Sequence, residues 1–294
     1  MSDLPIDALP AAAPRRKRRG IGYFLRRHPT VAVGGGLLLV MVILSVFAPL
    51  FTVYDPIRID PGMRLKPPSA EHWFGTDQYG RDIFSRTLYG GRVSLLVGIS
   101  VALVATVAGI VLGLLSGYVR MLDAVIMRTM DGLMAIPSIL LAIAMMSIMR
   151  ASITLIVIAI AITELPRVVR LVRSLVLGIK EQTYVHAAIA IGNRTPRLLR
   201  RHILPNIVPP LIVQATFIFA VAVMIEATLS FLGVGTPPEI PSWGNIIAES
   251  RIFVMIAFWT ILFPGLFLAV MVLAINILGD GLRDMLDPRL ARRM

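Results

Sequence analysis

Long apolar runs separated by short polar stretches dominate the chain. A bilayer core about 30 Å thick is crossed by about 20 apolar residues in a helix. Six runs approach that length: Val31 to Val53, Val93 to Val119, Gly132 to Met149, Ile153 to Leu165, Ile207 to Val234 and Ile252 to Leu278. The fourth is short at its apolar core. It spans only if its helix continues through Pro166 and Arg167 toward Leu177, with the arginines at the water boundary. A proline inside a span is tolerated where neighbouring helices satisfy the freed carbonyl. The pattern predicts an all-α, polytopic bundle of six transmembrane helices with both termini on one side.

Basic residues choose the side. Of the 29 Lys and Arg, 21 fall on the face that holds the termini and 8 on the other, which makes the first face cytoplasmic. With acidic residues included, the two faces carry +13 and +1. The expected organisation is a cytoplasmic basic tail (1–29), a first transmembrane helix (30–53), an extracytoplasmic loop with an interfacial helix (54–92), a five-helix core (93–282) and a cytoplasmic C-terminal tail (283–294). The apolar run after Arg15 to Arg19 exceeds the ~7–15 residues of a signal h-region, so it reads as an uncleaved span. The arginines before it suit anionic lipid headgroups.

Composition narrows the class. Charged residues make up 16% of the chain and mean hydropathy is +0.80, whereas soluble chains carry ~25% charged residues. A water-soluble enzyme is thereby disfavoured. The net charge of +12 resembles a nucleic-acid binder's. Its basic residues, however, separate apolar runs rather than cover a soluble surface, so no nucleic-acid partner is expected. Absence of cysteine excludes disulfides and thiolate metal sites.

Two loops carry the remaining information. In the outer one, Asp82 can cap a short helix from Ile83 to Tyr89 that Gly90 and Gly91 would end. Ile83, Phe84 and Leu88 give that helix an apolar side suited to the membrane interface. A structural belt and a docking surface both fit. In the inner loop, 178–206, Thr183 can cap a helix from Tyr184 to Ile191 that Gly192 stops. Thr195 can cap a second, with Pro196 at its first position, Arg197 to Leu204 following, and Pro205 as its end. Asn206 can then cap the fifth span. The first helix has a small-residue side (Ala187, Ala188, Ala190), and the second is basic (Arg197, Arg200, Arg201). A knob for another protein's groove and a simple chain reversal are both compatible with that pattern.

At this loop the chain resembles the membrane-spanning subunits of ABC-type importers. Their signature, Glu-Ala-Ala with a following Gly and Leu-Pro, corresponds here to His186-Ala187-Ala188, Gly192 and Leu204-Pro205, with His186 the one departure. More narrowly, the chain resembles the C-type permease subunit of the dipeptide/oligopeptide transporter group. The supporting motifs are Phe74-Gly75-Thr76-Asp77 with Gly80-Arg81-Asp82; Leu229 to Gly233 with Pro237-Pro238 and Ser242-Trp243-Gly244; and Asn276 to Asp284 with Leu286-Asp287-Pro288. The resemblance implies a type I importer permease (MetI-like) fold in a bacterial inner membrane. It also implies import of dipeptides or oligopeptides by alternating access, with relatives for glutathione, nickel chelates and opines. The implied partners are a homologous second permease, two cytoplasmic ABC ATPase subunits and an extracytoplasmic substrate-binding protein. It implies, too, that the loop with His186, Ala187, Ala188, Gly192, Arg197, Arg200, Arg201, Leu204 and Pro205 couples the chain to the ATPases. If Thr183 is the cap, position 186 is where Glu would close a capping box, and His weakens it.

No Gly-x4-Gly-Lys-Ser/Thr occurs, so ATP and Mg are expected on the partner ATPases, with no cofactor, metal or catalytic residue on this chain. A proton-coupled secondary transporter is the rival from another class, because Glu164 and Glu226 fall inside spans. Glu164 has a local partner in Arg167, and Glu226 is the candidate pore-facing group.

Overall fold

The computed structural model describes residues 28–148 and 152–286; the basic tail to Arg27, Met149, Arg150, Ala151, Asp287-Pro288 and the C-terminal end lie outside them. Among the described residues every regular element is helical. Helix α1 (Pro29–Val46) is followed by one further turn, α2 (Ala48–Phe51), and the irregular outer loop contains a 3-10 turn at Pro61–Met63. Then come α3 (Ile83–Tyr118), α4 (Arg120–Ala135), α5 (Ser138–Ile148) and α6 (Ile153–Lys180). The inner loop holds α7 (Thr183–Ala190) and α8 (Thr195–Leu198), and a π turn at Leu199–Ile203 runs into α9 (Leu204–Phe231). A short α10 (Trp243–Ser250) with a 3-10 turn at Arg251–Phe253 precedes α11 (Trp259–Leu286).

Among the described residues, four helical stretches are long and apolar enough to cross a membrane: Pro29–Val46, Ile83–Tyr118, Thr195–Phe231 and Trp259–Leu286. The bent pair α4–α5 is a fifth if the two helices together form one span. Helix α6 is about 42 Å long at 1.5 Å per residue and passes unbroken through Pro166, as expected. Glu164, Arg167 and Arg170 make it the most polar of the long helices.

Three expected boundaries change. Gly90 and Gly91 do not end a short interfacial helix; they lie within the 36-residue α3. They are needed for close approach: a Cβ on Gly91 would stand 2.2 Å from Ser45 Oγ, and one on Gly90 would stand 3.3 Å from the Ser242 carbonyl carbon. The run from Gly132 is broken at Pro137, which pushes Ile136 to extended φ/ψ of −97° and 128°, and α5 leaves α4 at 89°. The last long helix starts at Trp259 rather than Ile252, after the turn at Arg251–Phe253.

Packing centres on α3 and α6. Gly109, Gly113 and Gly117, one helical turn apart on α3, face Val168, Val172 and Val176 on α6. Cβ atoms at the three glycines would lie 2.4, 2.5 and 2.8 Å from the nearest valine atoms. Small residues at this spacing let two membrane helices approach backbone to backbone. Val97 and Val101 of α3, Ile156 and Ile160 of α6 and Ile207 and Ile218 of α9 complete the main apolar core. Helix α1 packs on α11 in the same manner, with Gly34 against the Leu278 amide and Gly281 against Val31.

Candidate functional site: an inner loop and an outer polar cluster

The inner loop is a compact unit tied to three long helices. Val185 and Ala188 of α7 and Leu198 of α8 are buried together against Tyr118, the last residue of α3, and Ile179 of α6. The Tyr118 hydroxyl donates to Thr195 Oγ1 at 3.3 Å, and Lys180 Nζ lies 5.0 Å above the Tyr118 ring. Asn206 of α9 donates to the Tyr184 hydroxyl at 3.4 Å.

The loop's outward side carries His186, Ala187, Ile189, Ile191, Gly192, Arg197, Arg200 and Arg201, all exposed. Pro196, Arg197, Arg200 and Arg201 line an open hollow of about 470 Å³. The smooth side expected of Ala187, Ala188 and Ala190 is therefore divided: Ala188 packs inward while Ala187 and Ala190 face out. Leu204 is half-buried, and Pro205 is exposed at the start of α9.

Gly192 ends α7 as expected, at φ +82°. The Asn193 N–H reaches the Ala188 carbonyl at 3.1 Å and the Gly192 N–H reaches Ile189 at 2.9 Å, the pair of bonds of a Schellman motif. The other caps differ. Helix α7 starts at Thr183, so Gln182 is its N-cap, and its side chain makes no capping bond. His186 is then the fourth helical residue, one position beyond a capping box, and its Nε2 lies 4.0 Å from Glu181 Oε2. Arg194 rather than Thr195 precedes α8. Pro205 does not end a helix: in the π turn the Leu204 N–H donates to the Leu199 carbonyl, carrying the chain into α9, where Pro205 sits in the tolerant first turn. Asn206 lies inside that helix and donates to the His202 carbonyl at 2.6 Å instead of capping a span.

Next to the loop, α4 is fastened to α6. Arg173 Nε and Nη2 donate to the two carboxylate oxygens of Asp123 at 2.6 and 2.7 Å, and Ser116 donates to the same carboxylate. Asp123 lies outside the four membrane-length helices, on the arm bent away from α5. The Arg173 bonds first, and the Ser116 bond second, hold its pKa down at about 2.

At the opposite end, motifs distant in sequence meet. Asp77 Oδ1 accepts the Tyr79 and Arg81 N–H groups at 2.8 and 2.9 Å, while Arg81 Nε donates to Asp77 Oδ2 at 2.6 Å. Arg81 also donates to Glu249 of α10, as does Arg86 of α3 at 3.0 Å. Glu249 is the residue that sequence reasoning missed; nothing local marks it, because its partners stand 168 and 163 positions away. Asp82 caps α3 as expected, accepting the Ser85 N–H at 2.7 Å. Trp243 of the second motif donates from Nε1 to the Thr87 carbonyl at 2.9 Å.

Glu164 pairs with Arg167 at 3.0 Å, the local account expected of it. Glu226 does not fit a pore-facing role. It is wholly buried between α3, α9 and α10, where Ser94 Oγ and Ser230 Oγ donate to its two oxygens at 3.0 and 2.9 Å. Ser230 Oγ in turn accepts the Thr236 N–H, and Ser242 caps α10. The carboxylate thus pins the 232–242 turn to the bundle. Among the described residues, no group of three His, Asp or Glu side chains could hold a metal ion.

Comparison with known proteins gives the same grouping. The family described as the binding-protein-dependent transport system inner membrane component matches residues 105–292, and the N-terminal TM domain of oligopeptide transport permease C matches residues 23–68. A probable peptide ABC transporter permease protein of Sinorhizobium fredii is 54% identical over 283 residues, covering 96% of this chain and 97% of the relative. A dipeptide transport system permease protein of Alkalihalophilus pseudofirmus is 45% identical, covering 90% and 88%. A glutathione transport system permease protein of Pectobacterium atrosepticum is 43% identical, covering 91% and 89%. In fold, the chain is similar to a chain of the inward-facing MetNI methionine ABC transporter, with a TM-score of 0.59 and 19% identity over 68% of this chain and 96% of that one.

Proposed function

The chain belongs to the binding-protein-dependent transport system inner membrane components, and from that membership we propose that it is the C-type permease subunit of an ATP-driven importer of small peptides. Relatives described as peptide and dipeptide permeases support the cargo class. In this reading the termini and the inner loop face the cytoplasm, as the charge asymmetry favours, and the 54–82 segment faces outward. A homologous second permease completes the pathway, an external binding protein delivers peptide, and two ATPase subunits supply energy.

The inner loop is the coupling element, and the observation that carries this role is its attachment. Its buried side packs on the ends of α3 and α6 and its chain continues into α9, while His186, Ala187, Arg197, Arg200 and Arg201 remain exposed. A push on that exposed side reaches all three helices. The arginines suit an acidic groove on the ATPase, and ATP-driven closure of the ATPases would rock the helices toward an outward opening.

The test is reconstitution of the four-subunit complex in proteoliposomes with its binding protein. Uptake of a labelled dipeptide should require ATP and should fall at least tenfold when Arg197, Arg200 and Arg201 are all changed to Glu. Uptake that follows an imposed proton gradient and ignores ATP would overturn the reading in favour of a secondary transporter.

A further inference from the structure

A hollow of about 610 Å³ opens between the outer loop and the turn after α10, lined among others by Arg64, Gln78, Tyr79, Glu249, Arg251 and Phe253. Its size falls in the ~300–1,000 Å³ range of small-ligand sites. Its charges are unbalanced in a specific way. Glu249, the carboxylate in the wall, uses Oε2 to hold Arg81 and Arg86. Arg64 donates through Nε to the Gln78 carbonyl at 2.7 Å, and Arg251 lies 5.9 Å above the Phe231 ring. Among the described residues, neither Arg64 nor Arg251 forms an ion pair with a carboxylate. Both are exposed at the rim, with guanidinium donors available for an oxyanion.

The rest of the wall is apolar and aromatic, supplied by Tyr79, Ile252 and Phe253. Two cationic forks beside an apolar wall match the end of a peptide, its carboxylate and its last side chain.

We propose that this outer hollow receives a small peptide by its C-terminal end, with the carboxylate on Arg64 and Arg251 and the terminal side chain against Tyr79 and Phe253. The proposal rests on the peptide-importer reading and deepens it, because it gives this subunit its own selectivity for free carboxylates after peptide leaves the binding protein. A concave site of this size favours a small ligand over the flat face of a docking protein.

The experiment uses the assembled complex in phosphatidylcholine nanodiscs without the binding protein, probed by saturation-transfer NMR with alanyl-phenylalanine and with its C-terminal amide. Alanyl-phenylalanine should bind, the amide at least tenfold more weakly, and the Arg64→Gln, Arg251→Gln double variant should lose the difference. Equal binding of dipeptide and amide, or no dipeptide binding by the wild-type complex, overturns the proposal, and this comparison stands even if a variant fails to assemble. Dipeptide binding that the double variant leaves intact, with affinity for the binding protein lowered instead, overturns it in favour of a protein-docking surface. ATP-dependent dipeptide uptake by the wild-type complex in proteoliposomes with its binding protein separates the two readings: uptake without binding at the hollow removes only this site, whereas no uptake removes the importer assignment beneath it.

Discussion

Replacing Gly113 with Ala tests whether the α3–α6 seam is held at backbone contact. The added Cβ would lie 2.5 Å from Val172 Cβ and 3.0 Å from the Val169 carbonyl oxygen. Carbon atoms rest at about 3.5–4.0 Å, so the helices must part by about 1 Å or more. Val172 cannot rotate away, because the atom struck is its Cβ, fixed to the helix backbone. Overpacking of this kind costs about 1–3 kcal/mol, against a helix-propensity gain of up to about 1 kcal/mol for Ala over Gly. The net loss is about 0–3 kcal/mol for one site, and changing Gly109 as well should add to it. Gly178 provides the control: it lies in α6, and a Cβ added there would have no neighbouring atom within 4 Å, so Gly178→Ala keeps the propensity gain and meets no wall. Thermal denaturation of the purified complex should rank Gly178→Ala at or above wild type, Gly113→Ala below it, and the Gly109→Ala, Gly113→Ala pair lowest. If Gly113→Ala melts with Gly178→Ala, close packing of these helices is not what the glycines supply.

Three further outcomes follow from the geometry. His186→Glu should not slow hydrogen exchange of the Thr183–Ala190 amides, because residue 186 lies past the capping position and the new carboxylate would face Glu181; slower exchange would restore the capping box. Glu226→Leu should leave the Ser94 hydroxyl without its acceptor, at about 1–3 kcal/mol for a buried orphan, while Ser230 keeps Thr236 Oγ1 at 3.1 Å; a complex that melts normally and differs only in transport would return Glu226 to the pore. Asp123, with its pKa lowered from 3.8 to about 2, contributes stability that is full above the ordinary value and is lost as pH falls toward about 2. Acid titration of α4 mobility by spin label should therefore show a transition in that window that Asp123→Asn abolishes, and an unchanged transition would contradict the Arg173 tie.

Segments governed by local rules were legible. The apolar runs located the long helices, Asp82 marked the start of α3, and Gly192 marked the end of α7 because only a left-handed residue fits there. Most of the failures share one physical cause: tertiary contact outweighed local preference. Gly90 and Gly91 look like helix terminators until Ser45 and Ser242 are brought beside them. Pro205 looks like a stop until a π turn redirects the preceding hydrogen bonds. Thr183 is a better cap than Gln182 by chemistry, yet the helix begins one residue earlier, burying Val185 and Ala188 on Tyr118. Glu226 read as a pore group because its serine partners come from α3 and from a residue one turn along α9, and only the fold shows them converging. Glu249 could not be matched to Arg81 and Arg86 at all without the packing of α10 on α3.

Because α3 runs unbroken from Asp82 to Tyr118, it is a rod of about 54 Å at 1.5 Å per residue. Its outer end is held at Arg86 and Asp82 and its inner end at Tyr118. A rod needs no relay. If its inner end were the pivot, a tilt of about 10° would carry its outer end about 9 Å, by the same helix rise. Such a sweep exceeds the reach of the Arg86–Glu249 bond, so under the proposed mechanism a modest rotation at the inner loop would suffice to unclasp the opposite end.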